Sequence, residues 1–368
     1  MKNTIGTSIT MTLFGESHGP AIGVVIDGLP AGAPVNLEHM QARLDMRRAS
    51  GTISTARHEA DVPQILSGVK DGHAEGTPVA ILIPNENVRR QDYDRTKDLA
   101  RPSHADYTAQ AKYRGWQDAS GGGHFSGRLT APLTAAGSIF LDLLEAKNIH
   151  VATHIADLAG IQDDPFDETH LKKQMNVLKK ADFPVLNAKQ GDAMKAAIEE
   201  ARMQQDSVGG ILESVVTGLE AGVGEPEFDS VESLLAHAVF SIPAVKGIEF
   251  GSGFALAHEK GSQANDAFYV KNGQVRTRTN HSGGINGGIA NGMPIIFRTV
   301  IKPTASIAQP QETINYRTNR KAVIRISGRH DPAIIHRAAI VVDAMTAFTV
   351  ADLLRQRHGE TWFTEACR

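Results

Sequence analysis

Cysteine is nearly absent from this chain of 368 residues, whose one example is Cys367, beside the C-terminus. No disulfide can form within the chain, which favours a reducing compartment such as the cytoplasm. Unbroken apolar runs are lacking too, because the longest candidate, 338–354, is interrupted by Asp343 and Asp352. Neither a membrane span nor the apolar core of a signal peptide is therefore expected. We predict a soluble cytoplasmic protein without membrane contact.

An excess of charge of either sign is missing as well. The 38 basic and 41 acidic residues give a net charge of −3 and a pI of about 6.6. This balance does not favour nucleic acid as a partner. The Gly-x-Gly-x-x-Gly pattern of a dinucleotide-binding Rossmann unit is also absent.

What the sequence does contain is histidine in short polar segments bordered by glycine or proline. The segments 15–19, 101–106 and 328–332 carry His18, His104 and His330. Glycine and proline predict loops, where catalytic side chains are common. Since histidine titrates near neutral pH, two or three of these rings in one pocket would supply proton transfer.

Glycine clusters and arginines accompany the histidines. Clusters at 121–123, 209–210 and 283–288 allow positive φ angles and a close approach of the backbone to a ligand. Arginine suits carboxylates and phosphates, and seven arginines lie in or beside the polar segments: Arg47, Arg48, Arg57, Arg101, Arg128, Arg329 and Arg337. The sequence predicts a small polyanionic ligand.

An internal repeat indicates the fold. The β-branched run and Gly-Leu-x-Ala-Gly turn of 21–32 recur at 212–222, and Gly-x-x-x-Gly-x-Pro recurs at 72–78 and 288–294. Helices capped by Asn36 and Ser230 are predicted after the first pair of turns. Two long apolar helices, 129–147 and 337–357, are predicted to be buried.

We therefore predict an α+β fold with an internal pseudo-twofold duplication. A central helical layer would be sandwiched between two mainly antiparallel sheets. The predicted single domain spans 1–360, with halves at about 1–150 and 208–358, a mostly helical insertion at about 157–206, and a tail at 361–368. Matching loops of the two halves would face each other across one pocket.

Nine segments, taken together and in order, resemble the chorismate synthase family over nearly the whole chain. They are GESHG (15–19), RPSHADYT (101–108), GGGHFSGR (121–128), DSVGG (206–210), GVGEPEFD (222–229), SIPAVKGIEFG (241–251), NHSGGINGGIANGMPI (280–295), KPTASI (302–307) and GRHDP (328–332). The resemblance implies conversion of 5-enolpyruvylshikimate-3-phosphate to chorismate with loss of phosphate. It also implies reduced FMN without net redox change, and a homotetramer. NADPH is a possible reductant, although an external reducing system is favoured.

The resemblance also implies roles for individual residues. His18 would protonate the departing phosphate, His104 would protonate or hydrogen-bond the flavin, and Asp331 would relay the ring proton lost from the substrate. The substrate would be bound by Ser17, Arg47, Arg48, Arg101, Arg128 and Arg337. The flavin would be bound by His124, Phe125, Ser126, Pro243, Ala244, Gly287, Lys302, Pro303, Thr304, Ala305, Ser306 and Arg329.

The sequence departs from the family where arginines are expected. Met46, Ile53, Gln117 and Ser120 occupy such positions, and Ala49-Ser50 replaces the usual Pro-Gly. Each lost hydrogen bond to a charged group is worth about 1.5–3 kcal/mol, so ligand affinity could fall. The main competing interpretation is accordingly an impaired paralogue that binds flavin or a sugar phosphate.

A hydrolase and a metalloprotein are competing interpretations from different classes of protein. A hydrolase could use Ser17 and His18, although adjacent residues rarely point a hydroxyl and an imidazole at each other. A metal site could use His18, His104, His124 and His330, but the interspersed arginines would repel a cation. Neither interpretation explains the glycines and arginines together.

Overall fold

The computed structural model describes residues 3–48, 53–54, 59–87, 97–326 and 331–364. Two five-stranded sheets form its framework, and every neighbouring pair of strands in them is antiparallel. The first sheet has the order β1-β2-β3-β7-β4 and contains β1 (Thr4–Gly6), β2 (Thr10–Gly15), β3 (Ala21–Asp27), β4 (Gln64–Ser67) and β7 (Val79–Pro84). The second has the order β11-β16-β10-β8-β9 and contains β8 (His150–Leu158), β9 (Ile161–Gln162), β10 (Gly210–Thr217), β11 (Val245–Phe250) and β16 (Ile295–Ile301).

Small hairpins and helices complete the described chain. The hairpins pair β5 (Val69–Lys70) with β6 (His73–Ala74), β12 (Phe268–Lys271) with β13 (Gln274–Thr277), β14 (Ile285–Asn286) with β15 (Ile289–Ala290), and β17 (Gln311–Asn315) with β18 (Arg320–Ile324). The α-helices are α1 (Leu37–Arg47), α2 (Asp106–Tyr113), α3 (Thr130–Ala146), α4 (Leu171–Leu178), α5 (Ala188–Met203), α6 (Val231–Phe240), α7 (Gly261–Ala264) and α8 (Ile335–His358).

The two sheets repeat one arrangement. The strand order β4-β7-β3-β2-β1 corresponds to β11-β16-β10-β8-β9. In each half, the strand of the first repeated segment (β3 or β10) pairs with the strand that follows the Gly-x-x-x-Gly-x-Pro segment (β7 or β16). The turns are bonded alike, because Gly32 N donates to Ala74 O and Gly222 N donates to Ala290 O, both at 2.8 Å. The α+β class with antiparallel sheets is confirmed.

The helix starts were predicted correctly from their capping residues. Asn36 Oδ1 accepts from the backbone N–H of Glu38 and His39 at the start of α1. Ser230 Oγ accepts from Ser233 N at the start of α6. These bonds satisfy N–H groups that have no partner within the helix.

The long helices α3 and α8 form the middle layer, since both contact strands of the second sheet and α3 also contacts β2, β3 and β7. They approach closely at Gly137, where an added Cβ would lie 2.2 Å from Ala344 Cβ. We expected the longest apolar run at 338–354, but among the described residues the helix apolar enough to cross a membrane is Gly127–Ala146. Because 78% of that window is buried, it is a core helix.

The stretch 157–206 contains α4 and α5, as its polar sequence predicts, and also the end of β8 and all of β9. The second sheet therefore begins before this stretch. Asp343 of α8 is half-buried, and it accepts a hydrogen bond from Thr153 Oγ1 of the second sheet at 2.6 Å. Burial raises the pKa of the Asp343 carboxyl to about 7.

Candidate active site

A run of three glycines brings two of the predicted histidines together. Gly121, Gly122 and Gly123 have φ angles of 59°, 86° and 53°, which a side chain would strain. A Cβ on Gly121 would lie 2.1 Å from His18 Cε1, and one on Gly122 would lie 3.2 Å from His104 Cε1. The two rings thus pack on successive glycines, and the predicted convergence of His18 and His104 is observed.

The His18 loop joins β2 to β3 and is bonded to the glycine run. Ser17 N donates to Gly123 O at 3.1 Å, and the Nδ1–H of His124 donates to Gly15 O at 2.8 Å. His18 Nδ1 lies 3.2 Å from Ser17 Oγ, so the expectation that these neighbours would not face each other is wrong. The loop also reads Gly-x-Ser-x-Gly, but it connects two strands, whereas the hydrolase elbow connects a strand to a helix.

Asn85, at the end of β7, connects this loop to an arginine. Its Nδ2 donates to Glu16 O at 2.9 Å and to Gly19 O at 2.8 Å, while its Oδ1 accepts from Arg128 Nε at 3.0 Å. Asn85 therefore holds the His18 turn and Arg128 at a fixed separation. No motif or periodic pattern in the sequence singles it out.

His104 lies in a compact turn with Arg101 and Asp106. Arg101 donates from Nε to Asp106 Oδ2 at 2.8 Å and from Nη2 to Asp106 Oδ1 at 2.6 Å. His104 Nδ1 lies 3.1 Å from Asp106 Oδ1. Burial alone would raise the pKa of the Asp106 carboxyl, but the hydrogen bonds from Arg101 and His104 outweigh it and hold the pKa well below its usual range.

Two predicted substrate-binding arginines converge on a buried carboxylate. Asp61 is 2% exposed, and it accepts from Arg47 Nη2 at 2.8 Å and from Arg128 Nη1. Burial lowers the pKa of Arg47 to about 10, and Asp61 opposes that shift. Burial would raise the pKa of Asp61, but the two guanidinium groups outweigh it and lower that pKa.

The second half contributes Asp331 and Arg337 to this cluster. Arg337 Nη1 lies 2.5 Å from Asp331 Oδ2, and its Nε donates to Arg47 O at 2.9 Å. The charge of Arg337 also acts on Arg47, so the start of α8 in the second half meets the end of α1 in the first half. Asp331 is not the N-cap of the long helix, because that helix begins at Ile335 with Ile334 as its cap residue.

Arg48 lies at the edge of the arginine cluster. Its Nη1 donates to Ala60 O at 3.0 Å, its Nη2 pairs with Asp45 at 2.9 Å, and its side chain is 37% exposed. Arg57, Arg329 and His330 lie outside the described residues. The predicted contributions of these three residues therefore stay predictions.

Several of the predicted flavin-binding residues lie beside His104. Lys302 Nζ donates to Ser103 O at 2.9 Å, and Lys302 N donates to Ala244 O at 3.0 Å, which joins the segments 243–244 and 302–306 to the His104 turn. A small pocket is lined by His104, Gly122 and the half-exposed ring of Phe125. Gly287 lies apart, in the hairpin β14–β15, which hydrogen-bonds to Gly222, Val223 and Val231.

The positions that lack the expected arginines are filled by neutral side chains. Met46 is 47% exposed and Ile53 packs against the core. Gln117 donates from Nε2 to Gln110 Oε1 at 2.9 Å, and Ser120 N donates to Asp118 Oδ1 at 2.8 Å. None of these four side chains supplies a positive charge, so the basic character of the site rests on the other arginines.

A metal site is not favoured. Among the described residues, no group of three or more His, Cys, Asp or Glu side chains could hold a metal ion. His150 and His154 do stand four residues apart, but they lie on a strand, and His154 bonds Asp163 and Glu213 through its two ring nitrogens at 3.0 and 3.1 Å.

With this geometry established, the comparisons with known proteins identify the family. The family model described as chorismate synthase matches residues 9–354. The chain belongs to the chorismate synthase family. Similar proteins named chorismate synthase include one from Methanocella arvoryzae, 44% identical over 95% of this chain and 93% of that protein. Another, from Korarchaeum cryptofilum, is 42% identical over 96% of this chain and 98% of that protein.

A third relative of the same name, from Chitinophaga pinensis, is 44% identical over 96% of this chain and 98% of that protein. A crystal structure of a chorismate synthase aligns with a TM-score of 0.77, and the alignment covers 99% of this chain and 96% of that chain. At 23% identity that likeness shows the fold. The family assignment makes this protein a carbon–oxygen lyase, and neither the hydrolase nor the impaired paralogue is favoured.

Proposed function

We propose that this lyase removes phosphate from 5-enolpyruvylshikimate-3-phosphate by anti-1,4-elimination to give chorismate, with reduced FMN and without net redox change. One observation carries the proposal: His18 and His104 pack on the adjacent glycines Gly121 and Gly122. Two groups proposed to serve in proton transfer thus lie against one short loop, and Arg128 of the arginine cluster follows that loop.

The residues around His104 suit a flavin. Phe125 offers a half-exposed aromatic ring, and Gly122 leaves the backbone accessible beside the imidazole. Burial and the nearby Lys246 ammonium lower the pKa of Lys302, and a lysine ammonium suits a phosphate group. When bound, reduced flavin supplies electron density to the allylic system as the carbon–oxygen bond breaks.

The arginine cluster suits the substrate's negative charges. Among the residues that the structure describes, Arg47, Arg128 and Arg337 pair with two carboxylates, Asp61 and Asp331. These five groups carry one net positive charge in a largely buried setting, where attraction to an anion is strong. We assign Arg48 and Ser17 to the same substrate site, at its edge and beside His18.

Three residues would act in the elimination, two of them by moving protons. His18 donates a proton to the departing phosphate, His104 donates a hydrogen bond to the flavin edge, and Asp331 accepts the proton lost from the ring carbon. The carbon–hydrogen electrons form one new double bond, the electrons of the existing ring double bond shift to form a second, and the carbon–oxygen electrons leave with phosphate. The net change is loss of phosphate, and the proton count balances between Asp331 and His18.

Some further properties are proposed on the family resemblance alone. They are a homotetrameric assembly, a cytoplasmic location, and binding of the flavin by His124, Ser126, Pro243, Gly287 and Arg329 as well. We propose that an external system reduces the flavin, with NADPH as its possible electron source.

An anaerobic assay tests the proposal directly. Purified protein is mixed with 5-enolpyruvylshikimate-3-phosphate and chemically reduced FMN, and the absorbance of chorismate is followed. His18→Ala and His104→Ala should each lower kcat by about 10²–10⁴. His170→Ala is the matched control, because that ring is 64% exposed on the surface turn before α4. A parent protein that binds reduced flavin and yields no chorismate would establish the impaired paralogue.

A further inference from the structure

We propose that Asp106 and Arg101 are positioning residues that act together on His104 Nδ1 and leave Nε2 as the nitrogen that faces the bound cofactor. This inference rests on the proposed role of His104. It gives Asp106 a role that the sequence did not suggest, and it moves Arg101 from the substrate to the support of a histidine.

The geometry is that of a closed three-residue cluster. Asp106 Oδ2 accepts from both the backbone N–H and the Nε–H of Arg101, at 2.9 and 2.8 Å. Asp106 Oδ1 accepts from Arg101 Nη2 at 2.6 Å and lies 3.1 Å from His104 Nδ1. The side chains of Arg101 and Asp106 are each only 14% exposed, so the bidentate pair is well shielded from water.

His104 Nδ1 has two partners of opposite kind. Arg101 Nη2, at 3.0 Å, can donate to Nδ1 when that nitrogen carries no proton. Asp106 Oδ1, at 3.1 Å, can accept from Nδ1 when it does carry one. The ring can therefore gain or lose a proton while it stays in place. Proton exchange with a ligand then falls to Nε2, which lies beside Gly122.

The same contacts argue against Arg101 as a substrate ligand. Its Nε and Nη2, the two donors of a bidentate fork, already bind Asp106. Arg101 and His104 together hold the pKa of Asp106 well below its usual range, against the opposing effect of burial, so the carboxylate stays charged. Other charged or titratable groups also lie near the cluster. Lys302 donates a hydrogen bond to Ser103 O, Tyr316 and Asp118 line the pocket beside His104, and His18 packs on the neighbouring glycine.

Asp106→Asn is the decisive substitution. The side-chain NH2 of the new asparagine cannot accept hydrogen bonds, and at the Oδ2 position it would meet two N–H donors of Arg101, whereas at the Oδ1 position it would meet one. The NH2 should therefore take the Oδ1 position, which faces His104. Nδ1 then meets donors on both sides, and a protonated ring loses its acceptor. We expect kcat to fall about 10- to 100-fold with KM for the substrate nearly unchanged. Arg101→Lys should give the same pattern because an ammonium cannot form the fork, and Asp106→Glu should recover part of the lost rate.

The chain contains a matched control. Asp142 pairs with Arg43 at 2.8 Å and with His39 Nδ1 at 3.1 Å, and its side chain is also 14% exposed. Asp142→Asn thus breaks a cluster of the same composition between α1 and α3, away from the glycine run. It should leave kcat and KM at the parent values.

A second readout needs no substrate or flavin. In protein labelled with ¹⁵N-histidine, the ring signals lost in His104→Ala identify His104. Asp106→Asn should lower the protonated fraction of that ring at a given pH, and Asp142→Asn should not. An unchanged His104 titration in Asp106→Asn overturns the inference, as does an Arg101→Lys variant that raises KM at unchanged kcat. If instead His104→Ala turns over at the parent rate, the proposed role of His104 fails while the ring measurement still decides the positioning.

Discussion

The ring of His18 lies against Gly121 so closely that a single methyl group on that glycine would overlap Cε1. Gly121 also has a φ of +59°, in the left-handed region. The glycine is therefore needed twice, for its backbone conformation and for the space that the imidazole occupies. A change of one methyl group at this position tests the placement of His18.

Gly121→Ala should displace the His18 ring and lower kcat by about 100-fold, the loss that a shift of roughly 1 Å can produce. The left-handed backbone alone costs about 1–2 kcal/mol. Gly160→Ala separates the two effects, because Gly160 has a φ of +85° and no atom within 4 Å of an added Cβ. Both variants should lose similar stability in urea unfolding, and only Gly121→Ala should lose activity. Equal activity in the two would show that His18 does not need its present position.

Asp331→Asn should lower turnover at least about tenfold, because the amide cannot accept the proton from the substrate. Since Asp331 does not cap α8, the substitution removes no helix cap, but it breaks the largely buried pair with Arg337, so some stability should be lost along with the activity. Steady-state kinetics and thermal unfolding are the measurements. Asp98→Asn, which removes the surface pair with Arg317, is the control. A parent-like kcat in Asp331→Asn would remove this residue from the proton transfer.

Asp61→Asn should destabilise the fold by about 3–5 kcal/mol near neutral pH, because Arg47 and Arg128 would stay buried without their carboxylate. The folded-state pKa of Asp61 is lowered, so its contribution is present above the unfolded pKa of about 3.9 and is lost as the pH falls further. Urea unfolding at pH 7 and pH 3 should show the difference shrinking in acid. Asp45→Asn, which breaks the exposed pair with Arg48, should cost no more than about 1 kcal/mol.

Asp343→Asn should stabilise the protein at pH 8. The folded-state pKa of Asp343 is raised to about 7, so parent stability is greatest below the unfolded pKa and falls as the pH rises toward 7. Each pKa unit between the folded and unfolded states is worth about 1.4 kcal/mol of stability, and asparagine, which does not ionise, avoids that loss. Asp352→Asn in the same helix should destabilise instead, because Asp352 accepts from three backbone N–H groups. A parent-like slope of stability against pH in Asp343→Asn would contradict the assignment.

The sequence predicted the framework well because its helices and strands have periodic patterns and because the two halves repeat the same segments. Asn36 and Ser230 were correct caps, since a capping residue acts within three positions of itself. The convergence of His18 and His104 was also foreseen, although the reason was not. The glycines that join them act by lacking side chains against the two rings.

The partners of the site residues were not foreseen. Asp61, Asn85 and Asp106 carry no periodic signal, and Asp61 and Asn85 reach Arg128 only after the chain has folded over some 40 to 70 positions. Asp106 stands five residues from Arg101, but it is the first residue of α2, a position where an acidic side chain is common for the sake of the helix alone. Asp331 does not cap the long helix, which begins at Ile335, three residues later than a cap at Asp331 would require.

The contact of Gly137 with Ala344 has a consequence for the distance between the two halves of the arginine cluster. The spacing of α3 and α8 depends on a single absent side chain, and Arg128 and Arg337 lie near the starts of those helices. From Gly137 back to Arg128 the helical rise amounts to roughly 13 Å. A bulkier residue at 137 would widen the gap that an anion must bridge, although it touches no ligand. We therefore expect residue 137, which lies in the interior, to influence the size of the anion that the proposed site accepts.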